Sequence, residues 1–192
     1  MAHVLVVGGI GMLKKVSLFM AQHDNVVSVV TQSSEALEAI MAEAPSMKGK
    51  INPISVDFDD TTSLQHLVAE AMDEYGPAML AVNFLDDDAL QAADVIAEVL
   101  NEKSPVCRFF DILPGGHGAL RRDRGMFEDP FAKLEKVLYR KIVLGFKVEH
   151  GMSRWLTDNE ISDGVIDAVR NDRRDAVIGT LEPWEARPAA SA

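Results

Sequence analysis

The sequence has a single cysteine, few aromatic residues and no excess of positive charge. Of its 192 residues, only Cys107 is a cysteine and 6% are aromatic, while 30 acidic and 19 basic residues give a formal net charge of −11 at pH 7. One cysteine excludes an internal disulfide. Binding to nucleic acid or to an anionic membrane needs a basic face, which so acidic a chain does not favour. We therefore expect no nucleic acid and no membrane among its partners.

Membrane spans, targeting segments and metal-ligand patterns are also missing. No apolar run approaches the ~18 residues of a membrane helix, and the first residues lack the charged start and apolar stretch of a signal peptide. No histidine has a His or Cys partner three or four positions further on, so no metal site is predicted. We expect a cytoplasmic protein in which Cys107, within the stretch VCRFF, fills a core rather than acting as a nucleophile.

Strand-like and helix-like patterns alternate along the whole chain. Continuous β-branched runs predict strands, and apolar stripes of helical period predict helices. The predicted strands are 4–7, 26–30, 54–56, 79–82, 106–113, 141–148 and 176–179. Continuously apolar strands are typical of parallel sheets that helices cover on both faces. The fold class predicted is α/β: a single doubly wound Rossmann-type domain over 1–192, with a mostly parallel sheet of about seven strands and a loose tail at 186–192.

Two helix starts carry the sequence of a capping box, in which a Ser or Thr and a Glu or Gln three residues later bond each other's backbone. Thr62 with Gln65 predicts the start of the third helix, and Thr157 with Glu160 predicts the start of the last one. Both helices continue with apolar residues at helical spacing, as a helix packed on a sheet requires.

The first strand runs into a turn with three glycines, GGIGM. A pyrophosphate binds at a helix N-terminus through free backbone N–H groups and the positive end of the helix dipole, and a β-carbon there would block its approach. Gly8, Gly9, Ile10, Gly11 and Met12 are therefore the predicted seat of a dinucleotide. The alternative, a tight turn without a ligand, stays open.

One glycine of the dinucleotide pattern is missing from this turn. Lys14 stands where the last glycine is expected, and since that glycine permits close packing of helix and strand, we expect a slightly shifted first helix. No Gly-Lys-Ser/Thr follows, which excludes a Walker-type phosphate loop.

The end of the second strand bears on the choice of nucleotide. The segment TQSS contains no acid to bond a ribose 2′-hydroxyl and no arginine. Without the acid there is no repulsion against a 2′-phosphate, to which Ser33 and Ser34 could donate at a helix N-terminus. Gln32 and Ser33 are therefore among the predicted cofactor-binding residues. The predicted cofactor is NAD(P), with a slight preference for NADP. The alternative is that Ser33 and Ser34 only cap the second helix. The missing acid also argues against a methyltransferase that uses S-adenosylmethionine.

With these residues placed, the sequence resembles the short-chain dehydrogenases/reductases, in a small, atypical form. VLVVGGIGML is similar to the first strand and glycine motif of that family. Asp57-Phe58 resembles the segment that contacts the adenine, and Asn83 is similar to the first residue of the family's Asn-Ala-Gly turn. The resemblance covers most of the chain, is specific in its first third, and implies cofactor contacts by Asp57, Phe58 and Asn83.

This sequence does not contain counterparts of all the catalytic residues of that family. Active members carry a Tyr-x-x-x-Lys pair on a helix, with the Tyr as acid/base, and a Ser after the fifth strand. Here Tyr139 is followed four places on by Val143, and DILPG at the end of the fifth strand contains no Ser. Tyr139 and Lys141 would share one face of a strand, and with the loop residue His117 they are the catalytic candidates. The alternative is that Tyr139 packs at a strand edge while Lys141 and His117 are solvated.

Arg154, next to Trp155, is open to two interpretations. Its guanidinium could bind an anionic substrate or stack on the indole. A salt bridge with Asp158 or Glu160 is the structural alternative.

Two functions follow from this sequence. We expect an NAD(P)-dependent oxidoreductase acting on a small carbonyl or hydroxyl substrate. The alternative is a non-catalytic dinucleotide-binding protein, either a sensor or a partner subunit, that lacks the catalytic pair. A third possibility is a protein of this fold that binds a different nucleotide-containing ligand, or no such ligand. A homo-oligomer is among the assemblies that we expect.

Overall fold

The computed structural model describes residues 1–9, 11–85, 89–115 and 129–189, in which strands and helices alternate. The strands are β1 (His3–Gly8), β2 (Val26–Thr31), β3 (Lys50–Ser55), β4 (Ala78–Phe84), β5 (Cys107–Pro114), β6 (Val137–Leu144), β7 (Phe146–Glu149), β8 (Met152–Trp155) and β9 (Asp175–Ile178). The α-helices are α1 (Lys14–Gln22), α2 (Ser34–Met41), α3 (Thr61–Tyr75), α4 (Leu90–Lys103) and α5 (Asp158–Arg170). Single 3-10 turns lie at Ala44–Ser46 and Trp184–Ala186.

The main sheet has seven strands in the order β3-β2-β1-β4-β5-β6-β9, and every neighbouring pair is parallel. The chain runs outward from β1 to β3 and then crosses back to β4, so the direction of winding reverses between β1 and β4. Such a switch point opens a crevice at the carboxyl ends of the strands, where α/β sheets bind their ligands. The predicted α/β, Rossmann-type architecture is confirmed.

Helices cover both faces of this sheet, each over its own apolar cluster. Helices α1, α2 and α5 pack on one face, and α3 and α4 pack on the other. Strand β2 is buried along its whole length and β1 along nearly all of it. Because both faces are covered, these strands read as continuous apolar runs rather than as alternating ones. Cys107 is buried in the α3/α4 cluster, as expected, and burial raises the pKa of its thiol to about 12.

The predicted strand 141–148 is wrong, because the chain forms two strands there. β6 ends at Leu144, and beyond Gly145 the chain enters β7, which pairs with β8 as an antiparallel hairpin. After β9 the backbone of Thr180 bridges Phe146. A β-carbon on Gly145 would lie 2.2 Å from the carbonyl oxygen of Thr180, so this crossing needs glycine. The apolar pattern continues through the break and hides it in the sequence.

Strand β3 begins four residues before the predicted segment 54–56 because Pro53 lies inside the strand rather than before it. The N–H groups of Lys50 and Val56 donate to carbonyls on the β2 side at 3.0 and 3.1 Å. Backbone direction alternates along a strand, so the nitrogen of Pro53 faces away from the sheet. A proline is tolerated there because no ladder bond is lost.

Helix α3 begins before its predicted capping box. The carboxylate of Asp60 is the N-cap and accepts a hydrogen bond of 3.0 Å from the backbone N–H of Ser63. Bonds from Ser63 lower the pKa of Asp60. The box predicted at Thr62 and Gln65 is therefore wrong, since an acid at the N-terminus satisfies the same donors and also complements the helix dipole.

None of the helices in the described ranges is both long enough and apolar enough to cross a lipid bilayer.

Candidate functional site

The glycine turn lies at the carboxyl end of β1, beside the switch point. Gly8 ends the strand in register with Phe84 of β4. Gly8 and Gly9 have φ angles of 70° and 57°, in the left-handed region that favours glycine. The N–H of Leu13 donates to the carbonyl of Gly9 at 2.7 Å, so the helical turn leading into α1 starts here. The chain thus delivers a helix N-terminus to the edge of the sheet, which is the arrangement that binds phosphates.

Packing within the protein already requires glycine at two of these positions. A β-carbon on Gly8 would lie 2.0 Å from the carbonyl oxygen of Phe84, and one on Gly9 would lie 2.7 Å from Cγ of Leu13. Gly8 therefore lets β4 close against the turn, and Gly9 lets the first helical turn fold back over it. Ile10 lies outside the described residues.

Gly11 faces the first residue of helix α5. A β-carbon on Gly11 would meet Oδ2 of Asp158 at 2.5 Å. Nearby, the hydroxyl of Ser162 donates to the carbonyl oxygen of Met12. Helix α5 thus packs over the start of α1 and places a carboxylate beside the glycine turn.

The basic residues at the start of α1 are both paired with acids. Nζ of Lys14 lies 2.7 Å from Oε1 of Glu43, and Nζ of Lys15 lies 2.5 Å from Oδ1 of Asp163. None of the side chains that the structure describes caps this helix. An anion at the turn would therefore be held by backbone N–H groups and the helix dipole, with little help from the two lysines.

The segments after β2 and β3 are joined by a side-chain hydrogen bond. Nε2 of Gln32 donates to Oδ1 of Asp57 at 2.8 Å, and the same oxygen accepts from the backbone N–H of Asp59 at 3.0 Å. Oγ of Ser33 accepts from the N–H of Ala36 at 3.2 Å as the N-cap of α2. The capping role considered for Ser33 is confirmed, and its hydroxyl hydrogen is still able to donate to a ligand.

A row of polar side chains lies in the sheet just below the glycine turn. Asn83 of β4 pairs with Val7 of β1 on one side and with Asp111 of β5 on the other, and Asp111 pairs with Lys141 of β6. Tyr139 precedes Lys141 by two residues and so shares its face. We call Asn83, Asp111, Tyr139 and Lys141 the polar row. It lies on the face that α3 and α4 cover, and Asn83 and Asp111 are fully buried.

Asp111 is the acceptor at the centre of the polar row. Nδ2 of Asn83 donates to Oδ1 of Asp111 at 2.8 Å, and the hydroxyl of Tyr139 donates to Oδ2 at 3.1 Å. A buried carboxylate needs such donors, because an unsatisfied one is very costly. Oδ1 of Asn83 is itself buried and has no hydrogen-bond partner in the part of the chain that the structure describes.

The structure brings two of the three catalytic candidates together. Tyr139 and Lys141 do lie on one face of β6; Tyr139 packs edge-on against Phe131 at 5.8 Å, and Nζ of Lys141 lies 3.4 Å from Oδ1 of Asp175. His117 falls outside the described residues. Sequence reasoning missed Asp111, although a carboxylate inside the apolar stretch CRFFDIL was a signal that could have identified it.

Phe58, which the family resemblance places at the adenine, lies in the core. Its side chain is 8% exposed and packs in the cluster under α3 and α4. Contact with a ligand at this position would therefore fall to the backbone of Phe58 and to the neighbouring exposed Asp57.

Ion pairs attach the β7–β8 hairpin to the start of α5. Glu160 binds Lys147 at 2.5 Å and Arg154 at 2.8 Å, and Arg154 also binds Glu149 at 2.8 Å. Hydrogen bonds from Arg154, then from Lys147, hold the pKa of Glu160 well below its usual range. Glu160 and Thr157 form the predicted capping box, with both bonds present. The salt-bridge interpretation of Arg154 is confirmed for Glu160.

Comparison with known proteins gives a match of structure without a match of sequence. No family model matches the chain, and no curated protein sequence matches it. Solved structures do match. A doubly substituted Serratia marcescens short-chain dehydrogenase/reductase is 16% identical, with a TM-score of 0.68, over 92% of this chain and 95% of that one.

Two further structures agree with this match. A β-ketoacyl-[ACP] reductase from Bacteroides thetaiotaomicron is 13% identical, with a TM-score of 0.70, over 93% of this chain and 96% of that one. An actinorhodin polyketide ketoreductase variant with NADPH is 12% identical, with a TM-score of 0.69, over 94% of this chain and 97% of that one. The resemblance predicted from the sequence is thus confirmed in three dimensions: the chain has the Rossmann-type fold of the short-chain dehydrogenases/reductases.

Proposed function

We propose that this protein binds a nicotinamide dinucleotide across the carboxyl edge of its sheet and acts as an NAD(P)-dependent oxidoreductase on a small carbonyl or hydroxyl compound. The observation that carries the proposal is the position of the glycine turn. It lies at the topological switch point, directly above the polar row, so one crevice would join a phosphate seat to groups that can exchange protons. The fold shared with oxidoreductases supports the same conclusion.

The backbone of the glycine turn is suited to binding a pyrophosphate. The N–H groups that open a helix have no partner within it, and Gly8 and Gly9 adopt the left-handed angles of phosphate-binding turns. We assign the pyrophosphate to the segment from Gly9 to Met12, with Ile10 and Gly11 in its middle. One feature opposes the ligand, namely the carboxylate of Asp158 beside Gly11.

The ribose and adenine would lie over the ends of β2 and β3. We assign Gln32 and Ser33 to the ribose and Asp57, with the backbone of Phe58, to the adenine. The acid-free end of β2 supports a slight preference for NADP. Asp57 limits that preference, since its carboxylate accepts the hydrogen bond from Gln32 and would repel a 2′-phosphate placed there. Replacing Asp57 by Asn should therefore lower the Kd for NADPH relative to that for NADH.

The bound nicotinamide would supply or accept the hydride. The chain's own task is to hold the substrate oxygen and to move a proton. We propose that Tyr139 gives its phenolic proton to the carbonyl oxygen during reduction, and that Lys141 on the same face stabilises the phenolate that remains. Oδ1 of Asn83, which has no partner among the described residues, would accept a hydrogen bond from the hydroxyl form of the substrate. Asp111 would act as a positioning residue, because it holds both Asn83 and Tyr139.

Ligand-induced thermal shifts test the binding half of this proposal. NADH and NADPH should raise the Tm of the protein, whereas AMP and S-adenosylmethionine should raise it less. A Gly11→Val variant should keep its circular dichroism spectrum and lose the shift. Gly11→Ala is the milder control, since its β-carbon meets only the movable end of Asp158. A shift that survives in Gly11→Val would mean that the site lies elsewhere.

A non-catalytic dinucleotide-binding protein is the second candidate. It is favoured by the lack of a Tyr-x-x-x-Lys pair and by the Tyr139 hydroxyl, which donates to the buried Asp111. Turnover of NADPH with a panel of small aldehydes and ketones decides between the two. Oxidation that disappears in Tyr139→Phe supports the enzyme, whereas tight binding without turnover across the panel supports the sensor or partner subunit.

A further inference from the structure

A carboxylate of this chain lies beside the position where the pyrophosphate is proposed to bind. Oδ2 of Asp158 lies 2.5 Å from where a β-carbon of Gly11 would be. Asp158 is the first residue of α5, so its negative charge lies at the N-terminus of its own helix and also beside the start of α1. Both are positions that favour an anion.

Little else at the turn offsets this charge. The side chain of Asp158 forms no hydrogen bond or ion pair with any residue that the structure describes. The nearest basic residues on α1, Lys14 and Lys15, are paired with Glu43 and Asp163. The carboxylate therefore faces Gly11 without a cation of its own.

The backbone that carries Asp158 is held from two sides. Thr157 and Glu160 form a capping box on the first turn of α5, and Glu160 is bound in turn to the β7–β8 hairpin. On the other side, Ser162 donates to the carbonyl oxygen of Met12. The helix cannot withdraw without breaking these contacts, so a phosphate that enters the turn has to displace the Asp158 side chain or bind beside it.

We propose that Asp158 lowers the affinity of the dinucleotide site by placing its carboxylate charge beside the anion position at the glycine turn. The inference rests on the proposed function. The Asp158 carboxylate repels a pyrophosphate at the start of α1 and narrows the space beside Gly11, so the intact chain binds the dinucleotide more weakly than its glycine turn alone would allow. The effect belongs to the phosphate part of the ligand and not to the adenosine.

Removal of this single charge tests the proposal. We expect Asp158→Asn to lower the Kd for NADPH and for NADH about tenfold, as measured by titration of nicotinamide fluorescence with the full chain; tenfold corresponds to about 1.4 kcal/mol. Asp167→Asn is the matched control. It removes the same charge from the same helix, where Asp167 pairs with Arg173 at the far end, and it should leave the Kd unchanged within twofold.

Two further measurements separate repulsion of the phosphate from a structural role of Asp158. Adenosine, which has no phosphate, should bind Asp158→Asn and the parent chain equally. The Tm of unliganded Asp158→Asn should fall slightly, because an acid at the start of α5 stabilises that helix, so affinity and stability move in opposite directions. A structural role alone would not tighten binding.

The outcomes are distinguishable from failure of the proposed function. An unchanged or higher Kd in Asp158→Asn, with NADPH still bound by the parent chain, would overturn the role of Asp158 and leave the proposed function standing. If neither the parent chain nor Asp158→Asn binds NADPH or NADH, the dinucleotide site itself is refuted, and the role proposed for Asp158 is refuted with it.

Discussion

Replacing Tyr139 by Phe should destabilise the protein by removing a hydrogen-bond donor to a buried carboxylate. The hydroxyl of Tyr139 donates to Asp111 at 3.1 Å, and Asp111 is fully buried. A hydrogen bond to a charged group contributes about 1.5–3 kcal/mol. In a chain of this length 1 kcal/mol corresponds to roughly 2–4 °C in Tm, so a loss of about 2 kcal/mol lowers Tm by about 4–8 °C.

The pairing with Asp111 can be isolated by a double-mutant cycle. In an Asp111→Asn background the acceptor is neutral, and the same Tyr139→Phe change should cost only about 1 kcal/mol, which leaves a coupling of about 1 kcal/mol between the two sites. Urea unfolding followed by circular dichroism gives all four free energies of unfolding. The other tyrosine is the control: the Tyr75 hydroxyl accepts from Lys50 at the surface at 2.7 Å, so Tyr75→Phe should change stability by too little to resolve.

Equal stabilities of Tyr139→Phe and Tyr75→Phe would refute the reasoning, since the buried carboxylate would then not depend on the phenol. A coupling near zero would show that Tyr139 contributes by packing alone. Under the proposed function the same Tyr139→Phe variant keeps NADPH binding while losing turnover, which separates a role in proton transfer from a role in folding.

Three more predictions concern the rest of the fold. Burial lowers the pKa of His3, whose ring forms hydrogen bonds through both nitrogens. Because folding favours the neutral ring, the free energy of unfolding should fall as the pH drops below the ordinary pKa of 6.5. Urea titrations at several pH values should show this fall, and they should show a smaller one in His3→Gln. Gly8→Ala should prevent folding or lower Tm sharply, because its β-carbon would lie 2.0 Å from the Phe84 carbonyl oxygen at a φ of 70°. Glu160→Gln should speed hydrogen exchange in the β7–β8 hairpin while leaving exchange in β1 unchanged.

The sequence predicted the fold well wherever one element was buried on both faces. The β-branched runs at Val4–Val7 and Val26–Val30 lie inside β1 and β2, because the helices on both faces make continuous apolar residues necessary. The break at Gly145 is not evident from the sequence, since a glycine inside a strand pattern can also mark a bulge or a close backbone approach within the strand. Its reason, the approach of the Thr180 carbonyl, comes from another strand and cannot be seen locally.

The site was predictable only in its local part. The glycine turn is a local feature, so its place at the end of β1 followed from the pattern of residues around it. The contact of Asp158 with Gly11 and the alignment of Asn83, Asp111 and Lys141 depend on the order and register of strands that are distant in the chain. One sequence read alone carries no information about such register.

The outward-facing nitrogen of Pro53 leaves the outer side of β3 one donor short. A strand from another molecule that tried to extend the sheet beyond β3 would meet a gap in the ladder at its middle, and it would find a pyrrolidine ring where it needs a flat backbone. This margin of the sheet is therefore protected against edge-to-edge aggregation by one residue, and Pro53→Val would remove that protection.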